Sequence, residues 1–408
     1  MKVLFFTYDF PYPTTSGGKN RAYNLLKYSG KDVEYILFSF YRDIPERESI
    51  DEVEKLNIST IRLFKRDFAG ISRILGAEKK DLKDIGSLLK LANPVESITK
   101  KLYYKKSIAR ELLQTVQKEK IDIVHFESLY TAYYLHPHLK GLGVKQIFGT
   151  ENIEYTQYKD FAKNKTSPVL APLYRFEAKK IEMDEKKLLT IADQIIAVSQ
   201  SDADAIKKIS DKDAVIIKNG VDLEYFTYKK PTAKKEKSLL FVGNFSYFPN
   251  LDAITHFHEE IWEKIKTEDV SLTIIGKNSS RLPFAHDKQI ITHEFVENIR
   301  TSYHDASLFI FPVRIGGGTN FKLLEAMASG LPVVAYEDKA KNIGAEKNEE
   351  MVVVQDATSF AKEIDELLHD TIRAEKITQK ARKFIEENYS WEKIGEEMNK
   401  VWRDELTN

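Results

Sequence analysis

Short apolar runs alternate with longer amphipathic stretches along most of this chain. In the first half the apolar runs fall at Val3 to Thr7, Ile121 to His125, Gln146 to Gly149 and Gln194 to Val198, with helical spacing after Gly18, up to Tyr134 and again after Val198. The pattern restarts after Lys218-Asn219-Gly220-Val221-Asp222, with runs at Leu239 to Val242, Leu272 to Ile275, Leu308 to Phe311 and Val333 to Ala335, and helices near Leu251 to Lys266 and Lys322 to Ala328. Strands alternating with helices predict an α/β fold of parallel sheets wound on both faces, occurring twice. The Lys- and Thr-rich stretch from Tyr228 to Lys237 has the composition of a surface connection, and the division falls near residue 220. Apolar residues at Trp391, Ile394, Met398, Val401 and Trp402 follow helical spacing and predict a final helix with one buried face. From Arg62 to Arg110 the pattern is helical and basic, ending in KKLYYKKSIAR. Such a segment either solvates an outer helical face or lies on anionic lipid as a peripheral contact.

Length agrees with this division, because 408 residues exceed what one hydrophobic core supports. The 62 basic and 62 acidic residues cancel, which removes a global electrostatic case for nucleic acid as partner. With no cysteine there is no disulfide framework, thiolate metal site or cysteine nucleophile, and the expectation is a cytoplasmic protein. Asp9 and Pro11 interrupt the N-terminal apolar run, which therefore reads as a buried strand rather than a signal sequence.

The most informative stretch is FPVRIGGGTNFKLLEAMASGLPVV, Phe311 to Val334. A strand ends at Pro312, Gly316, Gly317 and Gly318 follow, Thr319 and Asn320 stand where an N-cap belongs, and a helix runs to Gly330. Strand, glycine turn and helix N-terminus make an anion site for a diphosphate. Lys322 and Glu325 lie three apart on one helix face, so a cation can meet phosphate while a carboxylate accepts from ribose hydroxyls, and Arg314 stands beside the same phosphates. The same residues also read as a glycine-rich turn with an intrahelical Lys–Glu pair. In the first half, Gly17 and Gly18 open a helix, although the spacing is not that of a triphosphate P-loop. Asp202-Ala203-Asp204 reads as part of a helix cap with Ser199 rather than as a metal motif, and His256 and His258 lack a further spaced ligand.

Together with Ser16-Gly17-Gly18, Asn152-Ile153-Glu154, ADQIIAVSQSD, KNGVDLEYF, FVGNFSYFPN and FVENIRTSYHDASLFIFP, in that order, the stretch resembles retaining GT-B glycosyltransferases of family 4, with their group 1 C-terminal domain. The resemblance implies two Rossmann-like domains facing across a cleft: an acceptor-side domain over 1–220, a nucleotide-sugar donor domain over 221–388, and a helix over 389–408 returning to the first. It implies a hexosyltransferase taking a UDP- or GDP-linked sugar to a glycan or lipid-linked acceptor, with retention, no metal or other cofactor, and a role in polysaccharide biosynthesis. Glu325 takes the place of the second glutamate of the family's Glu-x(7)-Glu motif, and Gly317 that of the first. Asn244 and Pro249 occupy the positions of two family cations, leaving Arg314 and Lys322 to compensate. Glu151 replaces a histidine near the reacting sugar. These departures keep open a non-catalytic sugar-nucleotide-binding partner, and the shared architecture a GT-B sugar-nucleotide epimerase.

Overall fold

The computed structural model describes residues 1–66, 95–156, 158–159, 171–233, 236–315, 320–345 and 349–407. The chain forms two compact units, Met1–Lys218 with Ile394–Asn408, and Asn219–Lys393. Both are Rossmann-like α/β units, each built on a parallel sheet.

Among the described residues of the first unit the strands are β1 (Lys2–Thr7), β2 (Glu34–Tyr41), β3 (Ile58–Lys65), β4 (Ile123–Glu127), β5 (Lys145–Gly149), β6 (Gln194–Ala197) and β7 (Val215–Ile216), in spatial order 3-2-1-4-5-6-7. Strands covered on both faces must be apolar throughout, and β1 reads KVLFFT with all but Lys2 buried. Phe6 packs among Phe38, Phe40, Phe64, Phe126 and Tyr134 with ring centroids 5.2 to 6.3 Å away. The helix Gly17–Tyr28 starts where the Ser16 hydroxyl accepts from the Lys19 N–H, and it buries Ala22, Leu25 and Leu26.

The second unit carries β8 (Lys237–Val242), β9 (Val270–Ile275), β10 (Ile290–His293), β11 (Leu308–Phe311), β12 (Val333–Tyr336) and β13 (Val352–Val354) in order 10-9-8-11-12-13. In each sheet the strand order reverses beside the first strand, between β1 and β4 and between β8 and β11. Loops leave the carboxyl ends of those strands in opposite directions and open a crevice, where ligands bind in such sheets. Gly276, just after β9, stands against the end of β8 at φ +134°, and a Cβ there would stand 2.0 Å from the Gly243 carbonyl oxygen.

Of the segment read as helical from Arg62 to Arg110, the first residues belong instead to β3, which pairs with Tyr35–Tyr41 of β2. Among the described residues β3 is the outermost strand of its sheet, and its Arg62 and Lys65 suit such an edge better than a helix face. Residues 67–94 of that segment lie outside the described residues. Ile98–Tyr103 and Lys106–Glu119 are helical, the latter burying Ile108, Leu112 and Val116. The final helix, Trp391–Thr407, buries Trp391, Ile394, Met398 and Trp402 as its spacing predicts, whereas Val401, read on the same face, is only partly buried. Ser199 caps the helix Gln200–Ser210 by accepting from the Asp202 N–H at 3.2 Å, the role read for it from sequence. No helix among the described residues is long and apolar enough to cross a membrane.

Gly276→Ala combines left-handed strain with a backbone clash, so it should cost about 3 kcal/mol. Urea denaturation followed by circular dichroism checks this, and an unchanged midpoint contradicts it.

Candidate active site

In the second unit the site residues gather at the β8/β11 crevice. The helix Phe321–Ala328 begins at Asn320, which sits at the N-cap with φ −88° and ψ 107° but whose side chain makes no capping bond. The first-turn N–H groups are thus not taken by the usual side-chain acceptor. Lys322 extends from that turn across Phe241, its Nζ 4.7 Å from the ring centroid, and donates to Asn250 Oδ1 at 2.6 Å. Asn250 Nδ2 donates in turn to the Asn244 carbonyl at 3.0 Å, while Asn244 Oδ1 accepts from the Ser246 N–H at 2.9 Å. Burial lowers the Lys322 pKa to about 7, against the pull of Glu325.

Glu325, one turn on, accepts from the Tyr303 hydroxyl at 2.8 Å. Burial raises its pKa to about 6, with Tyr303 and Lys322 acting in the opposite sense. The fold therefore joins Asn244, Asn320, Lys322 and Glu325 through two residues the sequence reading did not single out, Asn250 and Tyr303. Asn250 ends the FVGNFSYFPN run, next to Pro249, so the motif pointed to the right turn but to the wrong side chain. Tyr303 stands in the RTSYHDAS run, where nothing in the neighbouring residues points to its partner 22 residues on.

Arg314 is placed elsewhere. Its guanidinium meets the Asp252 carboxylate, Nε to Oδ2 at 3.3 Å and Nη2 to Oδ1 at 3.0 Å, and it lines a cavity of about 430 Å³ with His256 and Tyr336. His256 contacts the Tyr336 hydroxyl at 2.7 Å, whereas His258 meets Asp287 at 3.0 Å. Gly316, Gly317, Gly318 and Thr319 lie outside the described residues.

In the first unit, Gly17 is the first residue of its helix and Gly18 the closest point of approach. A Cβ on Gly18 would stand 2.2 Å from the Tyr8 hydroxyl and 2.7 and 2.8 Å from the two carboxyl oxygens of Glu151. Only glycine leaves room for Glu151, which follows β5, to reach the start of this helix. Burial, then the charge of Glu127, raises the Glu151 pKa to about 8, while Arg21 and a hydrogen bond with Tyr8 act the other way. Near neutrality Glu151 is a carboxylic acid able to donate a hydrogen bond. Glu185 pins the loop by accepting from the N–H groups of Glu154 at 2.8 Å and Tyr155 at 3.0 Å. Burial raises Glu154 to about 7 and Glu185 to about 8.

Residues 15–225 match the family described as Glycosyltransferase Family 4, and residues 236–370 match Glycosyl transferases group 1. The chain is 23% identical over 409 residues to an uncharacterized 44.6 kDa protein in the cps region of Klebsiella pneumoniae, covering 96% of this chain and 97% of that one. Among solved structures, a sucrose-phosphate synthase from Thermosynechococcus elongatus superimposes with a TM-score of 0.70 at 14% identity, over 100% of this chain and 99% of that one. The Anabaena protein HepE in complex with UDP gives 0.66 at 12% identity, over 99% and 100%. Both structural likenesses are likenesses of fold.

The raised carboxyls make a prediction about stability. Between the unfolded value of 4.5 and the folded values of about 8, Glu151 and Glu185 hold protons that the unfolded chain has released. Their contribution to stability is complete below pH 4.5 and is lost as pH rises through about 8. Glu151→Gln should flatten the fall in melting temperature across this window; a slope identical to the unsubstituted protein contradicts the assignment.

Proposed function

The chain belongs to glycosyltransferase family 4, and on that premise we propose that it is a retaining hexosyltransferase that moves a sugar from a nucleoside-diphosphate donor to a glycan or lipid-linked acceptor. The observation that carries the donor half is Lys322, an ammonium at the first turn of a helix whose hydrogen-bond partner is the neutral Asn250, three residues before Glu325. Among the described residues Lys322 makes no ion pair, and a diphosphate against that turn would supply one, with Glu325 one turn away for the ribose hydroxyls. UDP is the first nucleotide to test, because the similar Anabaena protein is seen with UDP.

In the transfer, the bond from the anomeric carbon to the diphosphate oxygen breaks as the acceptor oxygen bonds to that carbon, and the acceptor proton passes to the departing phosphate. Lys322 and the helix N-terminus stabilise the charge that develops on the leaving group, the largest electrostatic lever in such a reaction. Glu151, as a neutral acid at the N-terminus of the first unit's helix, orients an acceptor hydroxyl. No metal is assigned a role. Arg314 acts on the phosphates only if it leaves Asp252, so Lys322 carries more of the work than the sequence pattern implied.

A second reading, a sugar-nucleotide-binding partner without turnover, draws on Gly317, Asn244 and Pro249 at positions where the family has a glutamate and two cations. Donor hydrolysis or transfer by the purified protein excludes it.

Phosphate beside Lys322 favours its charged form, so binding should take up a proton and the affinity for UDP should fall as pH rises through about 7. Calorimetry in buffers of different ionisation enthalpy checks the uptake; affinity that is flat across this range contradicts it. A thermal-shift titration with UDP, GDP and ADP should show stabilisation by one of them that is lost in Glu325→Ala. Lys322→Ala should reduce turnover roughly 100-fold with little loss of stability. Absence of any nucleotide-dependent shift would count against the donor assignment.

A further inference from the structure

Beneath Glu151 four buried side chains form one line of hydrogen bonds. Trp402 Nε1 donates to His125 Nδ1 at 3.2 Å, and the neutral imidazole then carries its proton on Nε2, which donates to Glu127 Oε2 at 2.6 Å. Glu127 Oε1 accepts from Arg21 Nε at 2.8 Å, and Arg21 Nη1 donates to the carbonyls of Ile217 and Lys218, each at 3.0 Å. None of the four is more than 1% exposed, and the imidazole stacks on Phe5 with centroids 4.6 Å apart. Lys218 is the last residue before the chain passes into the second unit, and Trp402 lies in the segment Ile394–Asn408 that rejoins the first. One polar line thus ties together the two places where the chain leaves and re-enters the first unit.

Burying a charged pair gains little over apolar packing of the same volume, so stability alone does not account for this arrangement. Its position does. Glu127 ends β4; Ser128 follows at φ +86° and donates its N–H to the Gly149 carbonyl at 2.7 Å, locking the ends of β4 and β5 together. A Cβ on Gly149 would stand 2.6 Å from Glu127 Oε2, so this carboxylate lies directly under the backbone two residues before Glu151.

We infer that Glu127 is a positioning residue: fixed between Arg21 and His125, its carboxylate braces the strand end that carries Glu151 and, through Arg21, clasps the Ile217–Lys218 segment. The inference rests on the reading of Glu151 given above. Burial would raise the Glu127 pKa, but Arg21 and His125 overcome it and hold Glu127 ionised, near 2. Glu151 is faced by Glu127 and Glu154, which oppose its ionisation, and by Arg21 and Tyr8, which favour it, with the helix start at Gly18 alongside. Burial is the main cause that keeps Glu151 protonated, and Glu127 is the largest of the charges acting on it, adding to that burial.

The test is infrared difference spectroscopy of the carboxylic-acid C=O stretch in the full chain, with the Glu151 band assigned by its loss in Glu151→Gln. In Glu127→Gln the Glu151 midpoint should move down by roughly one to two pH units, the effect of removing a close like charge. An unmoved midpoint in the folded variant overturns the inference. Arg21→Lys keeps the cation but loses the fork, so hydrogen exchange at residues 217–220 should quicken at least tenfold; unchanged exchange overturns the clasp, and this variant decides the matter should Glu127→Gln not fold. If the midpoint moves as expected while Glu151→Gln turns over like the unsubstituted protein, the coupling stands and the proposed role of Glu151 falls.

Discussion

Parallel pairing is the constraint on which the rest of this molecule depends. Strands that run the same way cannot be joined by hairpins, so each connection crosses back over a sheet face and every carboxyl end points to the same edge. Both units obey this with the same reversal of strand order, and the reversal opens the crevice in each. Tyr8 and Gly18, which follow β1, meet Glu151, which follows β5, at one such edge, and Asn244 and Asn250, which follow β8, meet Lys322, which follows β11, at the other.

The two edges use burial in opposite senses. In the second unit it lowers a lysine to about 7, and in the first it raises a glutamate to about 8, so each group is poised where a modest change of surroundings alters its charge. A diphosphate returns Lys322 to its charged form. Burial keeps Glu151 neutral, and Glu127, ionised by Arg21 and His125, adds to that.

Much of the fold is legible in the sequence because buried parallel strands must be apolar from end to end. Leu308–Phe311 is a strand as read, and the other strands named from the pattern differ by a few residues. What the pattern misses are β2, β3, β7, β10 and β13: β3 mixes polar with apolar residues, β7 has two residues and β13 three, whereas β2 lies inside the sheet and is missed although its pattern is mostly apolar and buried. The Lys322 and Glu325 pairing is legible because a helix places residues three apart on one face. Their partners Asn250 and Tyr303 are not, because those contacts span 72 and 22 residues and depend on how the sheet brings loops together. Arg314 illustrates the converse, since its place in the chain beside the glycines says nothing of Asp252, 62 residues away.

The most direct test of the account is a crystal structure of the protein with UDP. The account predicts the diphosphate against the first turn of Phe321–Ala328 with an oxygen on Lys322 Nζ and the ribose on Glu325. Nucleotide seated instead in the cavity lined by Arg314, His256 and Tyr336, with Lys322 still on Asn250, would contradict it.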